Sequence, residues 1–144
     1  MDLVPLHDVT ARALRPLLRE ESAYWEEELL WDFGEVASAV ESGLDRGALF
    51  GRMIRDGARC LAYSYYMVDG GRAIVGSVYA AEGHRGSGLE DKLLDAVIAD
   101  AQARTGHERV ECQTLFCTGP EADQRFVRAG FASRRRLAAS LEDR

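Results

Sequence analysis

The stretch from Arg72 to Thr105, RAIVGSVYAAEGHRGSGLEDKLLDAVIADAQART, constrains this chain more than any other. An apolar run, Ala73 to Ala81, leads into a glycine-rich turn, Gly83-His84-Arg85-Gly86-Ser87-Gly88. Leu89, Leu93, Leu94, Val97, Ile98 and Ala101 then recur at the spacing of one helix face. A strand, a glycine turn and a helix start together form an anion site. The first amides of a helix lack internal partners, and the helix dipole adds positive potential there. Glycine lets the backbone approach a ligand closely, and phosphate is the usual occupant. Neither GxxxxGK[ST] nor GxGxxG is present, so two familiar phosphate loops are excluded.

A chain of 144 residues suits one domain, here read as 1–144, with 47% apolar and 29% charged residues. No apolar run approaches ~20 residues, so no membrane span is expected. The start, MDLVPLHDVTARAL, has neither a basic leader nor an apolar signal core. Cys60, Cys112 and Cys117 are odd in number and form no CxxC, as expected of reduced thiols in a cytoplasmic protein. A net charge of −6 argues against a general nucleic-acid partner. Acid is concentrated in residues 20 to 45, which carry no basic residue. His107 and Cys112 lack metal-ligand spacing, so no metal is expected. No GxSxG elbow supports a Ser–His–Asp triad.

Leu3 to Leu6 reads as a first strand. Thr10 is a plausible N-cap for a helix from Ala11 to Glu21, which Pro16 should kink or restart. Tyr24, Trp25, Leu29, Leu30, Trp31 and Phe33 make an aromatic-rich junction. Asp32-x-x-Glu35 has the form of a capping box, opening a second helix that Gly43 should cap. Strands are predicted at Ala48 to Arg55, Ala58 to Val68 and Ala73 to Ala81, with hairpin turns at Asp56-Gly57 and Asp69-Gly70-Gly71. The long helix follows, then a strand at Val110 to Phe116. Thr118-x-x-Glu121 caps a helix through Ala122, Phe126 and Val127. Gly130 ends that helix, Phe131 starts a strand, and a last strand runs from Leu137 to Leu141. Hairpins followed by a helical crossover give an α/β (α+β) fold, a mixed, mostly antiparallel sheet with helices on both faces. The order is β-α-α-β-β-β-α-β-α-β-β. The core should include Val75, Leu93, Leu94, Val97, Ile98 and Phe131.

That order, the Arg85-Gly86-Ser87-Gly88-Leu89-Glu90 loop and the terminal pattern Ala122-x-x-x-Phe126-x-x-x-Gly130-Phe131 resemble the GNAT N-acetyltransferases over nearly the whole chain. Arg85 and Gly88 match the family's pyrophosphate loop, whereas Glu90 stands where it carries Gly or Ala. The resemblance implies acetyl-CoA as cosubstrate. The amides of Arg85, Gly86, Ser87, Gly88, Leu89 and Glu90 would hold its pyrophosphate. Main-chain groups near Val78, Tyr79 and Ala80 would pair with its pantetheine. It also implies a small-molecule or peptide amine as acceptor, and leaves room for a homodimer or a second similar domain. The reaction needs a base for the amine, an N–H at the thioester oxygen and an acid for the thiolate.

Three positions depart from the family's acid–base set. Ser77 stands where the strand before the loop often carries a carboxylate, Phe126 where the usual acid is a Tyr, and Gly119 near a common Asn. Candidate substitutes are Tyr63, Tyr65, Tyr66, Cys112 and Cys117, though strand tyrosines and cysteines are more often packing residues. His84 reads as a solvated loop residue. Arg134-Arg135-Arg136 reads as a solvated face, with one arginine able to meet the adenosine phosphate. The acids Glu26, Glu27 and Glu28 either rim a hidden helix junction or face a cationic amine. Ser87-x-x-Glu90 also has capping-box spacing, with the Glu90 carboxylate reaching the Ser87 amide. An internal anion would then sit among the phosphate donors, and CoA affinity would be weak. Two functions follow: a GNAT-like N-acetyltransferase, or a catalytically degenerate GNAT-shaped domain with weak or no CoA binding, serving as an interaction or regulatory module.

Overall fold

The computed structural model describes residues 1–105, 109–112 and 117–118. Strand β1 is Asp2–Pro5, and a 3-10 turn, Leu6–Asp8, leads to helix α1, Ala11–Leu29. Helix α2 is Gly34–Asp45. Strands β2 (Phe50–Asp56), β3 (Arg59–Asp69) and β4 (Arg72–Ala80) precede α3 (Leu89–Thr105) and β5 (Arg109–Cys112). The five strands lie in the order β1-β2-β3-β4-β5. The first three pairings are antiparallel and β4 with β5 is parallel, which the α3 crossover requires. Element order and sheet agree with the sequence reading through β5. The last helix and strands, with Phe126, Phe131 and Arg134 to Arg136, lie outside the described residues.

Two apolar clusters sandwich the sheet. Leu89, Leu93, Leu94, Val97, Ile98 and Ala101 of α3 pack on Ile54, Ala62, Tyr66, Val75 and Val78. On the other face Leu14, Leu17, Leu18 and Trp25 of α1, with Val40 and Leu44 of α2, cover Met53, Tyr63, Tyr65 and Tyr79. The alternation of strand side chains sends Tyr63 and Tyr65 to one face and Tyr66, past a register shift, to the other.

Helix α1 departs from the sequence reading. It runs unbroken through Pro16 and past Glu21 to Leu29, so Tyr24 and Trp25 belong to the helix. Trp25 is buried, and burial of its indole outweighs the local signals for an earlier stop. Thr10 caps the helix as expected, its Oγ1 accepting from the Ala13 amide at 3.1 Å. The chain leaves α1 at Leu30, with φ 52°. Asp32 does not form a capping box: its Oδ1 accepts from the Gly34 amide at 2.9 Å, and Phe33 occupies the N-cap. Gly43 lies inside α2 against Leu49 rather than capping it, and Gly47, with φ 63°, makes the exit.

Candidate functional site

The glycine turn delivers the chain from β4 into α3 by left-handed steps at Gly83 (φ 90°), Gly86 (φ 76°) and Gly88 (φ 95°). These steps decide where Glu90 goes. Its side chain is 1% exposed. Oε1 accepts from the Gly86 amide at 3.0 Å, and Oε2 accepts from Thr118 Oγ1 at 3.1 Å. The spacing predicts the Ser87 amide as partner; the structure gives Gly86 instead. Ser87 Oγ is turned away and donates to the His84 carbonyl at 2.6 Å. An internal carboxylate therefore sits at the start of α3, where the helix dipole and the loop amides favour an anion.

Arg85 is also engaged internally. Its Nε donates to the Ala80 carbonyl at 2.9 Å and its Nη2 to Tyr79 Oη at 2.7 Å. Its guanidinium lies 4.3 Å from the centroid of the Tyr24 ring and 3.5 Å from Glu20 Oε2. Glu20 Oε2 accepts from Tyr79 Oη at 2.6 Å and from the Glu82 amide at 2.9 Å. Burial and the bond to Glu20 push Tyr79 upward, so its phenol stays protonated. This cluster fastens the loop to α1.

The outer edge of β4 is described at two places. Arg72 to Val75 pair with Arg109 to Cys112, and Val78 pairs with Cys117. Thr118 lies beside the second: its amide donates to the Val78 carbonyl at 2.9 Å, and its Oγ1 accepts from the Ala80 amide at 2.9 Å. The Val78 carbonyl and the Ala80 amide thus both face Thr118. Tyr79 is in register with Tyr63 of β3. Gly76 is the bulged residue of β4, unpaired between Tyr65↔Ser77 and Tyr66↔Val75. The Tyr65 ring covers it so closely that a Cβ would collide with the ring and its hydroxyl.

Beside this bulge lies a carboxyl that sequence reasoning missed. Glu21 of α1 is fully buried. Oε2 accepts from Trp25 Nε1 at 2.9 Å, and Oε1 accepts from Tyr63 Oη. Desolvation raises Glu21 to about 7, although the bonds from Tyr63 and Trp25 and the nearby Ser77 hydroxyl oppose the shift. Ser77 Oγ is 1% exposed, and no hydrogen bond reaches it within 3.5 Å. Ser77 pairs with Tyr65, whose ring lies on the sheet face that α1 covers. A signal existed: Glu21 falls at helical spacing with Leu14, Leu18 and Trp25, a carboxylate inside an apolar stripe.

The other sequence candidates divide clearly. Burial, then the charge of Glu21, raises Tyr65 to about 12. Tyr66 points to the opposite face, where it donates to Asp100 Oδ2 at 2.7 Å and accepts from Arg104 Nε at 3.0 Å. Contact with Cys117 and burial push the Cys112 thiol up, so it is no thiolate at neutral pH. Cys117 is buried. Glu26, Glu27 and Glu28 are exposed, whereas Trp25 and Phe33 are core residues. Among the described residues no cluster of three His, Cys, Asp or Glu is arranged to hold a metal ion. No helix among them is long and apolar enough to cross a membrane.

A strand that runs into a glycine turn and a helix start is the arrangement the sequence resemblance implied. The profile of the acetyltransferase (GNAT) family matches residues 11–131. The chain belongs to the GNAT acetyltransferase family. The chain matches no curated protein. Solved GNAT-type structures share its fold. A GCN5-related N-acetyltransferase from Ralstonia eutropha JMP134 superposes with a TM-score of 0.71 at 16% identity, covering 95% of each chain. A predicted acetyltransferase from Clostridium acetobutylicum, solved with acetyl-CoA, gives 0.67 at 12% identity over 92% of this chain and 90% of the other. A ribosomal-protein-alanine N-acetyltransferase from Brucella melitensis biovar Abortus 2308 gives 0.57 at 18% identity, covering 93% of each. At these identities the likeness is one of GNAT fold.

Proposed function

We propose that this GNAT domain is an acetyl-CoA-dependent N-acetyltransferase, acting on an amine of a small molecule or peptide, with unusually weak cosubstrate affinity. The observation that carries the reading is the glycine turn that takes β4 into the start of α3. The main-chain groups suit the cosubstrate: the Gly86 amide and its neighbours as donors to pyrophosphate, the Val78 carbonyl as acceptor and the Ala80 amide as donor for pantetheine amides. Acetyl-CoA would supply the acyl group as a thioester. The weakness follows from the same groups. Glu90 accepts from Gly86, and Thr118 bonds both Val78 and Ala80. Cosubstrate must displace these bonds or bind around them. The reduced thiols of Cys60, Cys112 and Cys117 accord with a cytoplasmic setting.

The Glu90 contact also favours a second reading, a GNAT-shaped module that binds CoA too weakly for turnover. Calorimetry with acetyl-CoA and with CoA, followed by a thiol-release screen over amines, separates the two. Measurable binding with amine-dependent thiol release supports the enzyme. No binding up to millimolar cosubstrate supports the module.

A further inference from the structure

We propose that Thr118 joins the two halves of the cosubstrate site into one latch, so that opening the loop for pyrophosphate also loosens β4 for pantetheine. The inference rests on the acetyltransferase reading and deepens it, since it concerns how cosubstrate entry to that site is controlled. Thr118 lies 28 positions beyond Glu90 and 38 beyond Ala80, yet its hydroxyl bonds to both. Oγ1 accepts from the Ala80 amide at 2.9 Å and donates to Glu90 Oε2 at 3.1 Å. The other carboxylate oxygen, Oε1, accepts from the Gly86 amide at 3.0 Å. A continuous chain of bonds therefore runs from strand to loop: Ala80 amide, Thr118 hydroxyl, Glu90 carboxylate, Gly86 amide. The amides at its two ends are the ones that pantetheine and pyrophosphate need.

The links strengthen one another. A hydroxyl that donates to a carboxylate holds a more negative oxygen, so Glu90 tightens the bond that Thr118 accepts from Ala80. In return the hydroxyl supplies a donor to a carboxylate that is 1% exposed. A buried carboxylate that loses a donor is driven toward water. The way out lies at the loop, because Gly86, Ser87 and Gly88 are exposed while Thr118 is 1% exposed. Pyrophosphate meets the loop first, takes the Gly86 amide and expels Glu90. The Thr118 hydrogen then has the Val78 carbonyl, 3.4 Å away, as its other acceptor. That acceptor is neutral, so the hydroxyl oxygen holds the Ala80 amide less strongly and yields it to pantetheine. The Thr118 amide keeps its own bond to the Val78 carbonyl at 2.9 Å, so the release is confined to Ala80. By linkage the effect is reciprocal: pantetheine at Ala80 eases the release of Glu90.

Amide exchange on the full chain, read by NMR, tests the latch without ligand, and calorimetry with CoA tests what it controls. Thr118→Val removes the hydroxyl and keeps the shape. It should speed exchange at Ala80 and also, by about tenfold, at Gly86 on the far end of the chain of bonds. The reference is the Ala81 amide, whose bond to the Leu61 carbonyl at 2.8 Å lies outside the latch. Glu90→Ala makes the reciprocal reading, at Ala80, so the test stands even if Thr118→Val folds poorly. Thr118→Ser keeps the hydroxyl and should match wild type. CoA affinity should rise by about fivefold or more in each of Thr118→Val and Glu90→Ala. The double variant should gain less than the product of the two factors. Exchange effects confined to each side chain's own partner, or affinity gains that multiply in full, overturn the proposal alone. No CoA binding by any of these proteins up to millimolar concentration overturns the acetyltransferase reading and this proposal with it.

Discussion

Replacing Glu90 by glycine should tighten CoA binding at least tenfold while destabilising the fold. In the wild type the carboxylate holds the Gly86 amide at 3.0 Å and Thr118 Oγ1 at 3.1 Å. A pyrophosphate bound at the same helix start would face it at roughly 6 Å. That repulsion is about 0.7 to 2.8 kcal/mol per phosphate charge, for effective dielectrics of about 80 and 20. The Gly86 amide must also change partners, and a charge-assisted bond of this kind contributes roughly 1.5 to 3 kcal/mol. Tenfold, about 1.4 kcal/mol, is therefore the lower end of the expected gain. The stability cost comes from the same contacts. Losing two bonds to the carboxylate and a favourable charge in the first turn of α3 should cost roughly 2 to 4 kcal/mol. Calorimetry with CoA and urea unfolding of the two proteins read both quantities. Glu90→Gln, which keeps the shape and removes the charge, should fall between them in CoA affinity. Equal affinity in wild type and Glu90→Gly would refute the argument that the loop donors are occupied by this side chain.

Three further outcomes follow from the packing. Because Glu21 rises from 4.5 to about 7 on folding, the native state binds the extra proton across that interval. Stability should therefore be fullest below about 4.5 and decline by about 3 kcal/mol as pH rises through 7; the urea midpoint of wild type should fall relative to that of Glu21→Gln between pH 5 and 8, and a wild type that instead gains on the variant with rising pH would show the sign to be wrong. Leu30 leaves α1 with φ 52° and is 90% exposed, so Leu30→Gly should stabilise the domain by up to about 1 kcal/mol, visible as a Tm increase of a few degrees. Gly76→Ala should cost about 1 to 3 kcal/mol, because its methyl group meets the Tyr65 ring; an unchanged unfolding midpoint would mean the ring is free to swing aside.

Local periodicity and turn chemistry carry most of the fold. The α3 stripe, the turns at Gly57 and Gly70, and the glycine loop were legible because each is fixed by residues close in sequence. The buried state of Val75, Leu93, Leu94, Val97 and Ile98 follows from the same stripe and strand. The length of α1 was not legible. Pro16 and the cluster of acids argue locally for a stop, while burial of Trp25 against the sheet, decided only on folding, extends the helix to Leu29.

The site divides along the same line. The sequence by itself placed an anion loop at Arg85 to Glu90, flagged Glu90 as an intruder and marked Ser77 as a strand position without its carboxylate. Only the tertiary structure chose Gly86 and Thr118 as the partners of Glu90, because left-handed glycines redirect the loop and Thr118 arrives from a distant part of the chain. Only it set Glu21 against the Tyr63 hydroxyl, 42 positions away in the chain, since the meeting of a helix face with a sheet face is fixed by packing rather than by spacing.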